Sequence, residues 1–100
     1  MVKDHRPGPQ SDEFLRRVRA WPVSSWRHGD RAAATLRALN ALAALGAGAR
    51  GVEAPEVPRL APHVLGDQLV VLIADARAAG VSASDLEAVI ADLRTELGLG

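Results

Sequence analysis

The stretch from Gly80 to Gly98 constrains the fold of this chain more than any other. Val81, Ser82, Asp85 and Leu86 stand where a helix start needs them. Ser82 is placed as N-cap, its hydroxyl set to accept the N–H of Asp85. Val81 and Leu86 are spaced to clasp across the cap, and Asp85 stands in for the usual glutamate of a capping box. Leu86, Val89, Ile90, Leu93 and Leu97 then recur at helical spacing, while Asp85, Glu87, Asp92 and Glu96 stay off that stripe. The spacing predicts a helix over about 82–97, ended by Gly98. A helix with one apolar side is not stable alone at this length and needs a surface to bury that side against.

Three further helices are read by the same signals. Ser11 is placed to cap a first helix over about 12–21, with Asp12 and Glu13 in its first turn. Phe14, Val18 and Trp21 fall on one side of it, Arg16, Arg17 and Arg19 fall elsewhere, and Pro22 stops it. Val23 to Gly29 reads as a connector or an early turn of the next helix. Asp30 caps a second helix over about 30–45, with leucines at 36, 39, 42 and 45 among alanines, closed by Gly46 or Gly48. A third, over about 63–79, begins at Pro62 or at Asp67 after Gly66 and ends at Gly80. Its apolar face is Val64, Leu65, Leu69, Leu72, Ile73 and Ala76. Leu69 to Ile73 also suits a buried strand, but no second strand is visible to pair with it.

The expected fold is therefore all-α: a four-helix bundle-like domain whose last two helices form an antiparallel αα-hairpin, with the helix over 30–45 packed on it. Residues 1–10 are expected to be a disordered leader, and 11–100 a single domain with a Gly/Pro-rich loop at 46–62. The chain has 100 residues, 24% of them charged, and a formal net charge of zero. That charge is unevenly laid down. Residues 1–50 hold nine basic and four acidic side chains, a surplus of five positive charges. Residues 51–100 hold three basic and eight acidic ones, a surplus of five negative charges. The two halves are suited to meet, within one chain or between two.

Several chemistries lack their residues. There is no cysteine, which removes disulfides and thiolate ligands. No Gly-rich phosphate loop, nucleophile elbow or two-histidine helix motif is present. His28 and Asp30 lie close together in Trp26-Arg27-His28-Gly29-Asp30-Arg31, but His5 and His63 stand far away in sequence, so a metal site would need improbable assembly. No cofactor, metal or catalytic residue is expected. The longest wholly apolar run, Leu69 to Ala74, is six residues, well short of the ~20 that span a bilayer. With no secretory signal pattern, the expected address is cytoplasmic. Eleven arginines against one lysine go with GC-rich bacterial coding sequences.

Residues 76–90, Ala-Arg-Ala-Ala-Gly-Val-Ser-Ala-Ser-Asp-Leu-Glu-Ala-Val-Ile, resemble the core of a bacterial helix-turn-helix. The resemblance implies a DNA-reading helix after the Gly-Val-Ser turn, with Ser82, Ser84 and Arg94 as contacts. Asp75 departs from the apolar residue usual at its place. The implied recognition helix also carries Asp85, Glu87, Asp92 and Glu96 toward phosphates, whereas DNA binding depends on neutralising them. The favoured expectation is a small non-catalytic helical module acting by self-association, as a homodimer, or by holding a protein partner. Arg16, Arg17, Arg19, Trp21, Trp26, Arg27 and His28 are its candidate contacts for a partner or an anion, an anionic lipid surface being a third reading. The dimer seam is expected on Leu/Ala faces, above all that of the helix over 30–45.

Overall fold

A computed structural model of the protein describes residues 9–58, 61 and 64–99; residues 1–8 of the expected leader, Pro62 and His63 lie outside the described residues. The described residues form an all-α protein with no strand among them. Five helices follow in order: α1 (Pro9–Arg19), α2 (Val23–Trp26), α3 (Arg31–Arg50), α4 (Leu65–Ala79) and α5 (Ala83–Glu96).

α3 is the hub. α4 packs on it most extensively, α5 less so, and α1 rests mainly on α4. α4 and α5 share few contacts with each other, so each buries its apolar face chiefly on α3. The core holds Phe14 and Val18 from α1, Trp26 from α2, Ala34, Ala38, Leu39 and Leu42 from α3, Leu65, Leu69, Ile73 and Ala76 from α4, and Leu86, Ile90, Leu93 and Leu97 from the last segment. These are the stripes the sequence periodicity marks. Thr35 is the one polar side chain fully buried there among the described residues, and its hydroxyl donates to the Arg31 carbonyl at 2.9 Å.

Several boundaries differ from the sequence reading. α1 starts at Pro9, ahead of Ser11, because proline fits a first helical turn where the amide has no partner anyway. It ends at Arg19, and Val23–Trp26 forms a short helix of its own. α3 runs five residues past the expected Leu45, straight through Gly46 and Gly48. A glycine inside a helix costs only ~1 kcal/mol, and Gly46 is buried in van der Waals reach of α4, its Cβ position lying 3.9 Å from the Ala76 Cα. The helix closes instead at Gly51, whose φ of 71° is left-handed. There the Val52 amide bonds the Ala47 carbonyl at 3.0 Å and the Gly51 amide bonds Gly48 at 3.2 Å, a Schellman motif. The loop expected over 46–62 is shorter by those residues. It is tied to α3 by Asn40, whose Oδ1 accepts the Val57 amide at 3.2 Å. α4 starts at Leu65 with neither expected cap; Asp67 lies in its first turn.

The caps at the α4–α5 corner follow the sequence closely, whereas in place of the expected antiparallel hairpin packing the two helices share few contacts and each lies on α3. Gly80, at φ 94°, closes α4 with a second Schellman pair, Val81 to Ala76 and Gly80 to Arg77, both 3.0 Å. Ser82 caps α5, its hydroxyl accepting the Asp85 amide at 3.2 Å. Asp30 occupies the N-cap position of α3 but its carboxylate makes no capping hydrogen bond.

α3 also qualifies the expectation of no membrane-spanning segment. It is 20 residues long with a mean hydropathy of 1.2 over its best window, the marginal composition of a bilayer span. The rule of wholly apolar runs misses it because Thr35, Arg37, Asn40, Gly46 and Gly48 interrupt its alanines and leucines. Its leucines at 39 and 42 face the other helices of the same chain.

Candidate functional site

The charge halves meet within the chain. Arg19 of α1 pairs with Asp67 of α4, its Nε 2.9 Å from Oδ1, and Arg37 of α3 pairs with Glu96 of α5. Arg50 adds a hydrogen bond from Nη2 to the Asp75 carbonyl at 3.3 Å, tying the end of α3 to α4. Each link joins the basic half to the acidic half. All three are exposed, so each contributes at most ~1 kcal/mol and serves alignment more than stability.

The candidate contact residues are split by the fold. Trp26 is 2% exposed and belongs to the core, which corrects its place among partner contacts. Its ring meets Trp21 edge to face, centroids 5.0 Å apart at 70°. Arg31 closes this cluster: its guanidinium lies over the Trp21 ring, 4.6 Å from the centroid, and donates to the Ser25 carbonyl at 3.1 Å. Trp21 is half-buried under it and offers a partner little surface. Sequence reasoning missed Arg31; its four-residue spacing from Arg27, on the far side of the Gly29 turn, was the available signal. Arg16, Arg17, Arg27 and His28 are exposed, and Arg19, also exposed, is engaged by Asp67. Ser82 and Ser84 are exposed at the α5 start, with Ser82 committed to its capping bond. Arg94 is half-buried and turned toward α1, where it lines a small cleft with Glu13, Phe14, Arg17 and Leu99.

A larger concave surface lies elsewhere, along α3 and α4 beneath the segment 52–58. One part, about 440 Å³, is walled by Val57, Val64, Val71, Leu72 and the prolines at 55 and 58. A second, about 350 Å³, continues it past Leu42, Gly46, Val52 and Ala76, the two sharing Ala43, Pro55 and Leu72. The result is an apolar trough. Val71, 58% exposed, and Val52, 59% exposed, stand at its two ends. Its edges carry Glu56 and Asp67 on one part and Glu53 and Asp75 on the other, with Arg50 as the basic residue among them. Periodicity could not reveal it, because its wall depends on how the irregular 52–58 segment lies over two helices.

Among the described residues no group of three or more His, Asp or Glu side chains gathers as a metal would require. No family model, no curated protein and no solved structure matches the chain.

Proposed function

We propose that the protein is a small non-catalytic helical module that acts by self-association. The carrying observation is the apolar trough with an acidic rim. A trough of that kind accepts an apolar side chain flanked by positive charge, and the same chain offers one. Val23, 39% exposed at the start of α2, stands four residues before exposed Arg27, with Arg16 and Arg17 exposed on neighbouring α1. The partner committed to is a second copy. Its α1–α2 corner lays Val23 into the trough and brings arginines to Glu53, Glu56 and Asp75. A net charge of zero removes the overall repulsion that would oppose such contact. The Leu/Ala face of α3, where the sequence placed a dimer seam, supports this less, since Leu39 and Leu42 are buried inside the chain.

The test is sedimentation velocity across a concentration series. The expected result is a weight-average mass that rises with protein concentration, falls with added salt, and stays at the monomer value for Val71→Glu. A wild-type chain that stays monomeric through the high-micromolar range contradicts the reading.

The α4–Gly80–α5 corner, with its left-handed glycine and its Ser82 cap, supports a second reading as a helix-turn-helix. Against it, the exposed side of α5 carries Asp85, Glu87, Asp92 and Glu96, while Arg94 is half-buried. A gel-shift with random duplex at low salt is expected to give no complex. A complex whose affinity falls steeply with salt would favour DNA reading over self-association.

A further inference from the structure

We propose that the cleft between α1 and the end of α5 is a binding site for a small oxyanion of the carboxylate or phosphate type. This site is separate from the trough and does not depend on self-association. Sequence reasoning assigned Arg17 to one function and Arg94 to another; the fold puts both on one cleft, with Glu13, Phe14 and Leu99 completing its lining.

Three observations carry the assignment. Arg94 is half-buried, and its Nε is shut off from solvent without any hydrogen-bond partner. An atom closed to water has no room beside it for an ion, so the donors Arg94 can offer the cleft it lines are those of its terminal nitrogens. Arg94 thus carries its guanidinium into partly desolvated surroundings. Second, the charges around the cleft do not neutralise one another by contact. Among the described residues the ion pairs are Arg19–Asp67 and Arg37–Glu96. Neither Arg17 nor Arg94 is therefore within ion-pair distance of Glu13, and among the described residues two guanidiniums and one carboxylate line the cleft. Third, the size fits. The cleft measures about 70 Å³, room for roughly five water-sized atoms, which is the scale of a phosphate or a short carboxylate. Phe14, buried beneath, and Leu99, folded back by its amide bond to the Arg94 carbonyl at 2.9 Å, hold the cleft in shape. Guanidinium donors match both oxyanions in geometry.

The experiment is a titration of the full-length, nitrogen-15-labelled chain with inorganic phosphate, and separately with acetate, at constant ionic strength set by sodium chloride. The side-chain Nε–Hε resonances of Arg94 and Arg17 are followed. Saturable shifts of both are expected, and the arm that saturates at lower concentration identifies which oxyanion the cleft prefers. Arg94→Gln should abolish the response while the far-ultraviolet dichroism stays helical. Arg17→Gln, at an exposed position that leaves the core untouched, should weaken binding on the order of fivefold. Glu13→Gln should tighten it on the order of two- to fivefold, as removal of an exposed unfavourable charge does. That sign is not expected of a residue with a purely structural role. Shifts that never saturate, that persist in folded Arg94→Gln, or that weaken in Glu13→Gln overturn the assignment.

Discussion

Trp26→Ala is expected to be strongly destabilising, by about 3–6 kcal/mol. Trp26 is among the largest fully enclosed side chains, and it joins the short α2 to the cluster built from α1 and α3. Truncating a buried tryptophan costs about 3–5 kcal/mol through lost transfer energy and the cavity left behind. The edge-to-face contact with Trp21 is lost as well, about 0.5–1.5 kcal/mol. A domain of this size holds about 5–15 kcal/mol in total, so the loss is a large share of it. Trp21→Ala, at a half-buried position, should cost clearly less. Urea unfolding followed by dichroism at 222 nm checks this. A Trp26→Ala midpoint within experimental error of wild type would mean that α2 does not seal the core.

Gly66→Ala is expected to destabilise the protein by about 1–3 kcal/mol, although alanine is the better helix former. Gly66 is buried in the first turn of α4, directly under α1. A Cβ there would lie 2.9 Å from the Arg19 Cα and 3.1 Å from its backbone N. These are backbone atoms and cannot swing aside, so α1 must lift from α4, and the adjacent Arg19–Asp67 pair is pulled apart with it. Gly48→Ala is the internal control. It lies on the exposed side of α3 with nothing within 4 Å of its Cβ position, and it should stabilise by about 0.5–1 kcal/mol. The opposite signs of two identical substitutions are the content of the prediction, read from paired denaturation midpoints. Gly66→Ala as stabilising as Gly48→Ala would show that α1 does not approach α4 so closely.

Particular residues show what the sequence carried and where it stopped. The start of α5 was legible because the cap, the clasp and the apolar stripe are all local: Ser82, Asp85 and Leu86 act within one turn of each other. The end of α3 was not, because Gly46 and Gly48 look like stop signals when their surroundings are unknown. Gly46 is buried against α4, so the helix continues through it on tertiary packing that local signals do not show. Gly66 was read as a punctuation mark for the same reason. Charge polarity was legible as arithmetic, but its resolution into Arg19–Asp67 and Arg37–Glu96 needed the helices in place. Of the candidate contacts, the fold keeps Arg16, Arg17, Arg27 and His28 on the surface and draws Trp26 into the core. The trough was invisible because its wall is made by Val57 and the prolines of an aperiodic segment, which Asn40 ties to α3.

Self-association through that trough is the central claim, and a mixing experiment tests it most directly. Val23→Glu damages the inserting corner and leaves the trough whole; Val71→Glu damages the trough and leaves the corner whole. Each variant alone is expected to sediment as a monomer at concentrations where the wild type associates. Mixed in equal amounts they should associate again, because the intact corner of one meets the intact trough of the other. Two variants that stay monomeric when mixed, or that associate as well alone as the wild type does, would contradict the account.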